Sequence, residues 1–345
     1  MKSVFKIFIL VLTISGFATV GRAQTGIQIV PNDAEKKVDI LYDGKPFTSY
    51  YYPTDLDKPV LYPIYTAKGT LITRGYPRDP RLNDRVDHPH HVGSWLNFGN
   101  VNGLDFWNNT NLVPADMKHN YGSIRHRSVV SVQNGAKQGV LSVAADWVDY
   151  TEKTLLKEET QFVFSGEGDW RIIERTTKLT AQQDTVTFTD NKEGMIAIRM
   201  DRAFEEPATD RSAFVDSHGT VTRIEPNNEG VNGVYRNSEG QEMEKGVWSK
   251  PTKWVSLSAE KAGEKISVAI IDHKNNPGHP AHSHARGYGL FSTNNMGSQS
   301  LDKNEPLFKL TLNPGESTTF KHMIIVKTGG FTTDEEINQL FTRFN

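Results

Sequence analysis

Short runs of alternating apolar and polar residues, cut repeatedly by turn residues, constrain this chain more than any other feature. Gly26–Pro31, Lys37–Tyr42 and Pro46–Tyr51 open the series, with Asp43-Gly44 as a two-residue hairpin turn between the last two. Val140–Trp147, Thr160–Ser165, Trp170–Leu179, Thr185–Thr189 and Met195–Met200 continue it, and Trp254–Ser258, Ile266–Ile271, Phe308–Leu312 and Ser317–Val326 complete it. Asn134-Gly135, Gly166-Glu167-Gly168-Asp169 and Ala181-Gln182-Gln183-Asp184 punctuate these runs. Strands with one apolar face are stable only when sheets stack, so the pattern predicts an all-β sandwich. The chain has no cysteine, so no disulfide framework supports that sandwich. One helix is predicted, at the C-terminus. Thr333 caps it, Glu336 completes a capping box, and Ile337, Leu340 and Phe341 form its apolar stripe.

Residues 1–23 read as a secretory signal peptide. Lys2 and Lys6 precede a largely apolar stretch from Ile7 to Val20, and Gly21-Arg22-Ala23 places small residues before Gln24. The expected location is the bacterial periplasm or the extracellular space. No cysteine follows Ala23, which excludes a lipoprotein anchor, and no mature transmembrane segment is predicted. Processing removes Lys2, Lys6 and Arg22 and takes the formal charge from −2 to about −5. A mildly acidic body lacks the clustered Lys and Arg of a nucleic-acid binder. Residues 24–345 carry no linker, low-complexity tract or fixed-period repeat, which predicts one domain and sets aside propellers and solenoids. Nothing in the sequence sets the oligomeric state.

Seven of the eleven histidines fall in two windows. The first, Asp87-His88-Pro89-His90-His91, opens a run that reaches Trp95, Asn102, Asp105 and Trp107. The second runs from Asp272-His273 through His279, His282 and His284 to Arg286 and Tyr288. Imidazole works as acid, base or metal ligand near neutral pH, and indole beside amide or carboxylate suits a sugar, which has an apolar ring face and hydroxyl edges. Pro89 and the glycines at 93, 99 and 103 break the first run into turns. If it is locally extended, His88 and His90 share one face and His91 takes the other. Asn102-Gly103 is expected to place Asp105 and Trp107 on the same side of a following strand.

Asp87 to Trp107 (Asp-His-Pro-His-His, Gly-x-Trp, then Val-Asn-Gly-x-Asp-Phe-Trp) resembles the signature of a secreted bacterial family labelled PmoA, "methane oxygenase". Asp190-x-Lys192-Glu193-Gly194 with Arg199, Trp254-Val255, Asp272-His273, Asn276-Pro277-Gly278 and His284-x-Arg286-x-Tyr288-Gly289 follow in the family's order over essentially the whole mature chain. Near Ser283 the family more often has an aromatic. The resemblance implies a galactose-mutarotase-like antiparallel β-supersandwich and a carbohydrate role. The family's label is not taken as its chemistry, because a particulate methane oxygenase needs a membrane assembly and copper sites.

The candidate catalytic residues are therefore His88, His90, His91, Lys192, Glu193 and His284. The candidate substrate-binding residues are Trp95, Asn102, Asp105, Trp107, Arg199, Asp272, Arg286 and Tyr288. In the leading reading, histidine acid–base chemistry acts on a sugar, as in an epimerase, isomerase or lyase, and requires no cofactor. Alternatively, His90, His91 and His284 hold a divalent metal, although no helical His-Glu-x-x-His device is present. A glycoside hydrolase would use Asp105 and Glu193 as its carboxylate pair. A non-catalytic periplasmic glycan-binding module would rely on the tryptophans and asparagines. Blander roles stand beside each assignment: core packing for Trp95 and Trp107, a solvated turn for Lys192-Glu193, and a structural Arg199–Asp272 ion pair.

Overall fold

The computed structural model describes residues 25–345, and the expected signal peptide lies outside the described residues. Two eight-stranded sheets face each other. The first runs in the order Ile27–Asn32, Lys37–Tyr42, Lys45–Tyr51, Val60–Ile64, Ser94–Leu96, Ile196–Arg199, Leu290–Asn294, His282–Ser283. The second runs Val234–Asn237, Trp254–Lys261, Glu264–Asp272, Ser317–Thr328, Trp170–Ala181, Thr154–Glu167, Gln138–Val148, Ser123–Gln133. Every strand pairing within them is antiparallel. Two further hairpin-like pairs, Val186–Thr189 with Lys309–Leu312 and Ser212–Val215 with Val221–Ile224, complete the all-β architecture.

The alternation read from the sequence is what builds the core. In Gln138–Val148 nearly every second residue is buried, and Leu141 and Val143 point at the first sheet's Ile29, Val38 and Phe47. Phe47 meets Phe164 edge-on at 5.9 Å, and Tyr50 meets Phe162 at the same distance, which joins the two layers. The Asp43-Gly44 hairpin forms with positive φ at both residues (+50° and +73°), as its turn chemistry requires. The capping box at Thr333 and Glu336 forms too. It starts the helix Asp334–Phe344, whose Ile337 is buried with Leu340 and Phe341 packed beside it.

Two features differ from expectation. The terminal helix is joined by two single-turn helices, Met243–Val247 and Ser298–Leu301, each too short to display a helical period. The run after Asn102-Gly103 is not a strand; Asp105 makes only an isolated bridge with Tyr121.

Gly93 fixes the approach of the histidine-rich loop to the first sheet. It adopts φ +57°, and a Cβ there would lie 2.2 Å from the Leu61 carbonyl oxygen. Its own carbonyl accepts the Arg199 N–H at 2.8 Å. Gly93→Ala is expected to cost more than the ~1 kcal/mol of a left-handed backbone alone, because the clash is with backbone that cannot turn aside. Urea denaturation checks this; a variant within a few tenths of a kcal/mol of the parent contradicts it.

Candidate functional site

The site grows from the outer face of the first sheet. Trp95 pairs with Ala197 and Arg199 with Leu290, so alternation sets these four side chains on one face. Ile196, Ile198 and Phe291 enter the core from the other face. Ile-Ala-Ile-Arg at 196–199 therefore spends its apolar period inside and lays a guanidinium, 0% exposed, beneath the site.

Above this platform lies Asp87–His91. The His91 N–H donates to the His88 carbonyl at 2.9 Å, which closes a turn with His88 at φ +41°. The loop's other carbonyls need donors, and one buried residue supplies most of them. Arg74 donates to the carbonyls of Arg85, Asp87 and His88 at 3.0 Å each and of His91 at 3.1 Å. Asp87 Oδ1 accepts from Arg74 and, at 2.7 Å, from Arg199. Asp87 Oδ2 faces His88 Nδ1 at 3.2 Å. Burial pushes the Asp87 carboxyl up, but Arg199, the His88 hydrogen bond and Arg74 outweigh it and hold the group well below the usual carboxylate range.

The turn reverses the extended-strand expectation: His88 and His91 share one side, as neighbours in a four-ring stack. Tyr288, His88, His91 and Trp95 follow one another with ring centroids 5.1, 4.8 and 5.0 Å apart. His90 stands edge-on to His91 at 4.3 Å and to His88 at 5.7 Å. Trp107 is edge-on to His91 at 5.8 Å and lies 5.9 Å from His284. The two histidine windows thus meet at Tyr288 on His88 and at His284 on Trp107, but only in part: His284, Arg286 and Tyr288 join the first window. In and beside the stack, buried ring nitrogens of His90, His91, Trp95, Trp107 and His284 (five in all) have no hydrogen-bond partner among the described residues. Most buried polar groups are paired, so such a concentration points to a functional site.

The stack opens to solvent at His88, whose side chain is 40% exposed. Tyr288 lies against its ring, and His88 acts electrostatically on the Glu193 carboxyl. Lys192 Nζ is 3.4 Å from Glu193, and Glu193 Oε2 is 4.0 Å from His284 Nε2. Arg286 pairs with Glu244 at 2.7 Å and lies 5.7 Å from the Tyr288 ring. Burial raises the Glu193 carboxyl above its ordinary value, with Lys192 opposing. Burial also raises the Tyr288 phenol to about 12. Burial and neighbouring cations lower His90 to about 2, and burial with its neighbours His90 and Arg199 holds His91 far down. Burial, helped by Arg286 and Lys192, takes His284 to about 3. These three imidazoles are neutral in the folded protein, which suits them to hydrogen bonding more than to carrying a proton.

Their neutrality has a consequence for stability. An unfolded histidine titrates near 6.5, and His91, His284 and His322 (the last lowered to about 4 by burial) resist protonation when folded. Below that pH the unfolded chain binds the extra protons, so this stability is complete above pH ~6.5 and falls as acid is added, by of order 1 kcal/mol per pH unit for each histidine. Urea midpoints measured from pH 7.5 to 5 should decline steeply; a flat profile contradicts the neutral assignment.

Several nominated residues serve elsewhere. Both Asp105 oxygens are used by their own turn: Oδ1 accepts the N–H of Trp107 (2.8 Å) and Asn108 (2.9 Å), and Oδ2 accepts Asn108 Nδ2 (2.7 Å). Three donors of its own turn thus engage this carboxylate, which holds the turn together. Asn102 is exposed and joins loops through Thr185 and Thr187. Asp272 is fully buried and does not pair with Arg199. It accepts from Asn276, Asn295, His279 Nδ1 (2.6 Å) and the Ala281 N–H, and so ties down the rest of the second window. His90, His91 and His284 do not converge as a ligand set; among the described residues no three His, Cys, Asp or Glu side chains are placed to hold a metal ion. Trp95 and Trp107 are both fully buried, core in their packing and wall of the site at once.

Three residues are not evident from the sequence. Asp87 opens the motif but is overshadowed by its histidines, whereas nothing local marks Arg74. Lys58, buried, donates to the His90 carbonyl at 2.8 Å and sits 5.3 Å from the centre of the Trp95 ring. Burial lowers its ammonium to about 8 against the pull of Asp57 and Asp105.

Among the described residues, no helix is long and apolar enough to cross a membrane. No curated protein matches the chain. Among solved structures it is similar to the galactosidase domain of an alpha-galactosidase-sucrose kinase, AgaSK (11% identity, TM-score 0.40, covering 88% of this chain and 42% of that one). It is also similar to a galactose mutarotase related enzyme from Lactobacillus acidophilus (7%, TM-score 0.33, covering 89% and 98%). A third is a putative aldose 1-epimerase from Escherichia coli K12 (10%, TM-score 0.30, covering 88% and 99%). At such scores these likenesses carry no argument about the site. The model of a family described as "Family of unknown function (DUF6807)" matches residues 37–342, and the chain belongs to that family.

Proposed function

We propose that this chain is a carbohydrate-active enzyme working outside the cytoplasm, which moves protons on a sugar as an epimerase, isomerase or lyase does. The observation that carries the reading is the Tyr288–His88–His91–Trp95 stack, with unpartnered ring nitrogens in and beside it and the Glu193 carboxyl 4.0 Å from His284. A flat aromatic flank and a ring of hydroxyl partners suit a saccharide. The methane-oxygenase label of the family whose motifs the sequence resembles supplies nothing to this chemistry.

The roles follow from the local environments. The Asp87 carboxylate faces His88 Nδ1, so Nε2 is the ring nitrogen left to take a proton. His88 Nε2 takes a proton from a carbon beside a sugar carbonyl, and Glu193, whose pKa burial raises, gives its proton to the carbonyl oxygen. Return of a proton to the other face gives an epimer, return to the neighbouring carbon an isomer, and loss of a β-substituent an elimination product. Lys192 and Arg286 stabilise negative charge building on oxygen. Incubating the purified protein with a panel of free and glycosidically linked sugars, followed by proton NMR, tests the reading. New sugar signals support it; binding without any conversion makes the protein a glycan-binding module instead.

A further inference from the structure

Against Pro89 and His90 lies a cavity of about 340 Å³, at the lower end of the range for small-molecule sites. Lys58, Arg78, Asp55 and Asp57 line it with Asn111 and His90. The two cations and two carboxylates balance, which disfavours an ionic ligand and suits a neutral one with many hydroxyls. The lining is held in place beforehand: Arg78 is fixed by Asp55 and by the Tyr51 hydroxyl at 2.6 Å, and Lys58 by the His90 carbonyl. His90 belongs to both neighbourhoods, lining the cavity while its ring stands edge-on to His88 and His91. Asp105 likewise acts electrostatically on Lys58 at the cavity and on Glu193 at the rim. Cavity and rim therefore flank the same loop.

We propose that this cavity is a second saccharide subsite, so that the ligand of the chain is a disaccharide, or a glycoside with a sugar-sized second unit, in preference to a free monosaccharide. The inference rests on the carbohydrate reading above and adds the size of the ligand. One ring sits at His88, Glu193 and Tyr288; the other enters the space in front of Lys58 and Arg78. Asn111 and Leu112 are exposed at the cavity, Leu112 being 67% exposed although apolar, so substitutions there fill or trim the subsite without touching the stack.

Calorimetry with glucose, galactose, maltose, cellobiose, lactose and melibiose reads the outcome. At least one disaccharide should bind the wild-type protein about tenfold or more tightly than its constituent monosaccharides, a gap of ~1.4 kcal/mol. Asn111→Trp should erase that preference and leave monosaccharide affinity within about twofold, and Leu112→Ala should reduce the preference without abolishing it. Equal binding of mono- and disaccharides, or a preference that survives both variants, overturns the subsite while the carbohydrate reading stands. Failure of every sugar to bind the wild-type protein overturns both.

Discussion

Replacing Asp87 by Asn is expected to cost about 3–5 kcal/mol of stability, the penalty for stranding a buried charge. Arg74 and Arg199 are 1% and 0% exposed, and the Asp87 carboxylate bridges both. The substitution keeps the side chain's shape, so no cavity accounts for the loss; what disappears is the negative charge between two guanidinium groups. Such a cost is a large fraction of the ~5–15 kcal/mol by which domains are stable. The Arg74 bonds to four loop carbonyls should loosen with it, and the ring stack should lose order. Urea denaturation gives the energy, and near-ultraviolet circular dichroism of the buried indoles reports the stack. A loss below about 1 kcal/mol with an unchanged aromatic spectrum contradicts the proposed role of Asp87, since a bridge between two desolvated cations cannot be that dispensable.

The second large effect is on turnover. His88→Gln and Glu193→Gln should each lower kcat about 10²–10⁴-fold, the usual contribution of a positioned acid or base, while sugar affinity stays within roughly threefold. His218→Gln, on an exposed loop, serves as the control and should leave both unchanged. The pH dependence separates the two roles. Glu193 must be protonated to act as the acid, and burial raises its pKa, so activity should fall as pH rises through that raised value. Glu193→Gln should remove this alkaline limb from whatever activity is left. If Glu193→Gln keeps both the rate and the limb, the general acid is another group.

Much of the architecture is legible in the sequence because it depends on local pattern. Lys37–Tyr42 has the bounds expected of it, and the Asp43-Gly44 turn and the Thr333–Glu336 box do what their chemistry dictates. The strand Ser123–Gln133 is not legible: it is an edge strand with Arg125, His126 and Arg127 in its first half, so little of it alternates. At the site, residue types are readable but orientation is not. The loop around His88 is shaped by Arg74, 14 residues before it, and by Arg199, 112 residues from Asp87. No spacing rule within Asp87–His91 encodes those partners. At Asp105 and Asp272 the residue type suggests a ligand contact, whereas the structure gives each carboxylate backbone and amide donors from its own loop. Residue chemistry nominates the groups; the sheet register and the buried arginines decide which of them face outward.

Proton exchange at carbon is the step on which the proposed function stands or falls. Incubating the wild-type protein in D2O with the sugars it binds, and following them by proton and deuterium NMR, reads that step whichever product forms. Deuterium should enter a carbon-bound position of at least one sugar in the wild type, and His88→Gln should lose that exchange. Sugars that bind at the stack yet are hydrolysed or anomerised with every C–H retained, or that return wholly unchanged, would contradict the proposal.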